Sequence, residues 1–154
     1  MNDAAAWLRL SLTPGIPDEA TRRLAGHALG LAALLEQGAP ALAQLGVPEA
    51  AARTLTGPAP EWLPGALDWL AQPGHHLLTL ADADYPALLK LTPGPPAALF
   101  LRGRRELLGD AHFAIVGSRN PTPQGAENAR AFAGYLAGCG LVICSGLASG
   151  IDAA

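Results

Sequence analysis

Apolar positions in the first third of the chain recur at helical spacing and are cut at short intervals by Gly and Pro. Leu24, Ala28, Leu31, Leu34 and Leu35 make one such stripe. The breaks at Thr13-Pro14-Gly15, Gly30, Gly38, Pro40, Gly46 and Pro48 delimit helices over 4–12, 18–29, 31–37, 41–45 and 49–55. Asp18 and Glu19 suit the positive N-terminal end of the second. These pieces predict a small helical domain over residues 1–57. Gly57-Pro58-Ala59-Pro60 reads as a stiff linker, and Pro64 in a first turn with Pro73-Gly74 as a stop predicts a helix over 64–72. Linker and helix together occupy 58–74. Trp62 and Trp69, one heptad apart, are expected to anchor the core.

From residue 75 the period changes. Short apolar runs predict strands over 77–80, 98–101, 113–116 and 141–144, with helices over 86–91 and 124–138. A strand, a crossover helix and a second strand form a βαβ unit, so the last two strands should be parallel. The first two are expected to flank them in the same sheet. The class is therefore α/β. Such a sheet would leave an edge and much of one face uncovered, so the expectation is a truncated part of a longer fold.

Composition narrows the class further. Half of the residues are hydrophobic, enough for a core. No run reaches the roughly 18 apolar residues of a membrane span, and the N-terminus lacks a basic start, so a soluble cytoplasmic protein is expected. The net charge of −3 is unevenly spread. Residues 1–89 hold four basic against nine acidic side chains, whereas 90–154 hold six against four. A phosphate-bearing ligand is thus expected to meet the second part. Cys139 and Cys144 are expected as small buried hydrophobes, and His27, His75, His76 and His112 form no Cys/His pattern with them, so no metal is expected.

The chemistry concentrates in two loops that follow strands. Gly117-Ser118-Arg119 pairs a flexible backbone position and a hydroxyl with a planar guanidinium suited to a phosphodiester. Thr122 is placed to cap the crossover helix, with Pro123 at its first position. In the partner loop, Ser145, Gly146, Ser149 and Gly150 offer hydroxyls and backbone access. A purely structural reading stays open: a turn in which Arg119 pairs with Asp152, and a helix start at Ser149 or Gly150. Asp152 is expected to orient Arg119 or loop N–H groups. No G-x-G-x-x-G, P-loop or nucleophile-elbow pattern is present, so no cofactor and no catalytic nucleophile are expected. Arg102, Arg104 and Arg105 either extend a basic track or belong to a solvated loop. Thr13-Pro14-Gly15-Ile16-Pro17 resembles a helix-hairpin-helix turn. Pro17 has no N–H for a phosphate, so the turn is expected to be structural, with a partner-protein surface as the alternative.

Ile115-Val116-Gly117-Ser118-Arg119, the start at Thr122-Pro123-Gln124-Gly125, and Ser145-Gly146-Leu147-Ala148-Ser149-Gly150-Ile151-Asp152 together resemble the signature of the DNA-processing protein A (DprA/Smf) family. Upstream, Asp84-Tyr85-Pro86, Pro95-Pro96 and Leu99-Phe100-Leu101-Arg102-Gly103 follow the order seen in that family. Gln124 stands where the family often has Tyr. The resemblance implies a helical domain similar to a sterile-alpha-motif domain, followed over 75–154 by the first part of an extended Rossmann-like DNA-binding domain. It implies a non-enzymatic mediator that binds and protects incoming single-stranded DNA and loads a RecA-type recombinase in natural transformation, with self-association of the full-length protein. On this resemblance Gly117, Ser118, Arg119, Ser145, Gly146 and Gly150 are DNA contacts. Two alternatives stand beside it: a nucleotide-processing, phosphoribohydrolase-like enzyme on a related sheet, and a module for folding or partner interaction only.

Overall fold

A computed structural model describes residues 2–154 and is α/β, dividing into two compact units at Arg105/Glu106. The first contains α1 (Asp3–Leu12), α2 (Asp18–Ala25), α3 (Leu31–Glu36), α4 (Ala39–Gln44), α5 (Glu49–Thr56) and α6 (Leu63–Leu70). It also holds β1 (His75–Thr79), α7 (Ala87–Lys90) and β2 (Ala98–Arg102). The second contains β3 (His112–Ala114), α8 (Pro123–Gly138) and β4 (Val142–Cys144). Among the described residues, no helix is long and apolar enough to cross a membrane.

Helix α1 is the hub of the first unit. Asn2 starts it by accepting from the Ala5 N–H at 2.9 Å. Ala6, Trp7, Leu8 and Leu10 are buried, and α3, α5 and α6 pack on it. Leu24, Leu31, Leu34 and Leu35 supply the predicted stripe, each buried at roughly 1.5–3 kcal/mol. Ala28 departs from it and is exposed, because α2 ends at Gly26 rather than running to residue 29. The core tryptophan is Trp7. Trp62 is 40% exposed and Trp69 half-buried, its ring stacked on His75 at 4.0 Å and edge-on to Phe100 at 5.7 Å.

Arg9 is only 5% exposed, and among the described residues its hydrogen bonds go to backbone carbonyls. Its Nη2 donates to the carbonyls of Thr54, Gly57 and Pro58 at 2.7, 2.8 and 3.3 Å. These are the C-terminal carbonyls of α5 and the start of the proline-rich linker, so a cation here is favoured by the helix dipole. Burial holds its pKa below the ordinary arginine value. The linker is consequently clamped to α1.

Strands β1 and β2 are antiparallel, with His75 opposite Arg102 and Thr79 opposite Ala98. The segment between them is held at three points. Tyr85 is buried and donates its hydroxyl to the Pro96 carbonyl at 2.9 Å. Asp84 accepts from Nε and Nη2 of Arg105, both at 2.6 Å. Arg22 of α2 donates to the carbonyls of Lys90 and Thr92 at the end of α7. Arg105 is therefore neither part of a free basic track nor simply solvated.

In the second unit β3 and β4 are parallel, with Phe113 opposite Ile143, and α8 crosses between them. The two strand pairs form separate sheets; the expected flanking of β3 and β4 by the hairpin is not found. Cys139 and Cys144 are exposed, contrary to expectation, because a pair of three-residue strands and one helix cover too little surface to bury them. Phe113, Val116, Phe132 and Tyr135 are exposed for the same reason.

Candidate functional site

Both loops leave the same end of the parallel pair, because β3 and β4 run in one direction. They abut. The Ile151 N–H donates to the Ser118 carbonyl at 3.0 Å, and the Gly117 N–H donates to Asp152 Oδ1 at 3.1 Å. Ser145 Oγ donates to the Ile115 carbonyl at 2.8 Å. Ile115, Gly117 and Ser118 of one loop are thus tied to Ser145, Ile151 and Asp152 of the other.

Glycine is required by this contact. A Cβ at Gly117 would stand 2.8 Å from the Ile151 side chain. Gly150 has φ +95°, and a Cβ there would meet the Ser118 carbonyl and lie 2.7 Å from Arg119 Cα. At Gly146 a Cβ would lie 3.0 Å from Asp152 Oδ2. Backbone access for a ligand is thus not the first use of Gly117 and Gly150. They let one loop lie against the other.

The site residues named from sequence separate into two groups. Thr122 caps α8 as expected, accepting from the Gly125 N–H at 3.1 Å. Asp152 orients a loop amide and does not pair with Arg119. The hydroxyls of Ser118 and Ser145 are engaged, the first accepting from the Asn120 N–H at 3.1 Å, the second on Ile115. Ser149 does not begin an α-helix; a short 3-10 turn at Ile151–Ala153 follows Gly150 instead. Gln124 donates to Asn128 one turn along α8.

What is left unspent defines the chemistry. Arg119 is exposed, and no hydrogen bond or ion pair among the described residues engages it. The N–H groups of residues 146–150 likewise donate to nothing among the described residues. The Ser145 hydroxyl donates to the Ile115 carbonyl, the acceptor that the next ladder rung would offer to Gly146. Leu147 among them is left-handed, at φ +53°, a conformation that occurs in the backbone turns known to bind anions. The sequence signal for this array is the non-repeating run of small residues after β4. Among the described residues, no cluster of His, Cys, Asp and Glu could hold a metal ion.

Comparison with known proteins agrees with this part of the chain. Residues 76–154, half of the sequence, match the family model for DNA recombination-mediator protein A. Protein Smf of Escherichia coli is 42% identical over 87 residues, covering 56% of this chain and 23% of that protein. DNA processing protein DprA of Bacillus subtilis is 38% identical over 91 residues, covering 58% and 31%. Protein Smf of Synechocystis is 43% identical over 86 residues, covering 53% and 22%. The chain spans between a fifth and a third of the length of these relatives. With half of its length matched and both loops inside the match, the chain belongs to the DNA recombination-mediator protein A family.

Proposed function

We propose that the paired loops bind the sugar-phosphate backbone of single-stranded DNA, and that the chain serves a non-enzymatic recombination mediator acting with a RecA-type recombinase in natural transformation. One observation carries the reading: an exposed, unpaired arginine on one loop and a run of unspent backbone N–H groups on the other, the two loops already fixed to each other. Arg119 and the amides of Gly146 and Gly150 are the phosphate donors. Gly117, Ser118 and Ser145 hold the loops in place, and Thr122 and Asp152 support them. Because the loops are tied before binding, little ordering entropy opposes the ligand. The Ser118 and Ser145 hydroxyls are committed to backbone partners and neither loop holds a histidine to activate Ser149, which supports a binding role over an enzymatic one.

Affinity for a labelled oligothymidylate should fall with salt, at roughly 0.7 per neutralised phosphate on a log–log plot. Arg119→Ala should weaken binding by about 1.5–3 kcal/mol, the range for hydrogen bonds to charged groups. A folded Arg119→Ala protein that titrates like wild type in fluorescence anisotropy removes Arg119 from the site.

A further inference from the structure

Leu147 combines two features that are each unfavourable for the isolated chain. It is the only non-glycine residue with positive φ among those described, and its side chain is 87% exposed. Left-handed backbone disfavours a residue with a Cβ, and leucine has no side-chain polar atom to offset the strain by a local hydrogen bond. An isobutyl group in water also forgoes the gain of burial. Glycines stand at 146 and 150, so the loop already uses the residue that would relieve the strain, yet not at the left-handed position itself. Among the described residues, little covers this leucine. Its neighbours on either side present the free N–H groups described above.

Resting on the backbone-binding reading of these loops, we infer that Leu147 is a base contact: its side chain packs against an unstacked base of single-stranded DNA whose phosphate lies on the amides of 146–150 and Arg119. An aliphatic side chain meets the face of any base, so the contact is tolerant of sequence. It also favours single strands, because a base inside a duplex offers no free face. The backbone turn and the side chain have separate roles. The turn shapes the amides and is available to glycine, whereas the apolar contact is available only to the side chain.

That separation makes the test specific. Leu147→Gly keeps the turn, relieves the strain and removes the side chain; Leu147→Ala removes most of the side chain and keeps the strain. Binding is read by anisotropy against a labelled oligothymidylate and an abasic strand of equal length, with Arg119→Ala in parallel. Leu147→Gly should melt a few degrees higher than wild type and bind oligothymidylate about tenfold more weakly. Leu147→Ala should share the binding loss without the gain in stability, and neither should alter affinity for the abasic strand. Arg119→Ala should weaken both strands. Unchanged oligothymidylate affinity in both leucine variants, or an equal loss on the abasic strand, overturns the base contact while leaving the phosphate site standing. Failure of the wild-type chain to bind either strand overturns the underlying reading and this inference with it.

Discussion

Gly150 shows how one residue ties sequence to site. Its φ of +95° is costly for any side chain, and the space a Cβ needs is filled by the Ser118 carbonyl and Arg119 backbone. Gly150→Ala should therefore destabilise the loop pair by about 3 kcal/mol, the upper range for a forced backbone conformation. In hydrogen exchange the Ile151 amide, bonded to Ser118, should lose protection, and Arg119 should lose its fixed position with it. Unaltered exchange at Ile151 in the variant would show that the loops do not depend on this contact. The sequence marked Gly117 and Gly150 as positions of backbone access, and the facing loop adds a steric reason that the sequence did not show. A glycine that admits a ligand and one that admits a distant carbonyl look alike until the facing residue is known.

At the scale of elements, the helices and strands fall within a few residues of where periodicity and Gly/Pro breaks put them, because those signals are local. What was not legible depends on long-range partners. The Asp84-Tyr85-Pro86 stretch was visible only as part of a resemblance. In the fold it locks the connection between β1 and β2, with Tyr85 on Pro96 and Asp84 on Arg105. Spacing could not show that Arg105, 21 residues away, was the counter-ion. Hydrogen bonding from Arg105, foremost, and its charge hold the Asp84 carboxyl below its usual range. A carboxyl depressed on folding stabilises above its unfolded pKa, and that contribution is lost as pH falls through the lower folded value. Asp84→Asn should accordingly lower the melting temperature slightly at neutral pH, the pair being solvent-exposed. The difference from wild type should shrink as pH drops below about 4, the ordinary aspartate value. A gap in melting temperature that stays constant from neutral to acid pH would mean that the ion pair contributes nothing.

Across the whole molecule, charge and core are divided differently from the halves suggested by sequence. By compact unit, residues 1–105 carry eight basic and nine acidic side chains, and 106–154 carry two and four. The positive balance read over 90–154 comes from Lys90, Arg102, Arg104 and Arg105, which belong to the first unit. The loop-bearing unit is net −2, so its attraction for a polyanion is local, from Arg119 and amides, and its salt slope should be shallow. The core is just as uneven. Of the described apolar side chains that are buried, only Ala129 lies in the second unit, and a small unit with so little burial has little to set against chain entropy. All three tryptophans lie in the first unit, so their fluorescence reports that unit alone. In urea, the α8 amides should lose exchange protection well below the midpoint of the tryptophan transition. Saturating oligothymidylate at a hundredfold over its Kd should restore about 2.7 kcal/mol to those amides through binding linkage, and leave the tryptophan midpoint unmoved. Coincident transitions without DNA would show that the units unfold together. A tryptophan midpoint that shifts with DNA would place part of the binding free energy in the helical unit, because a ligand stabilises only what unfolds with its site.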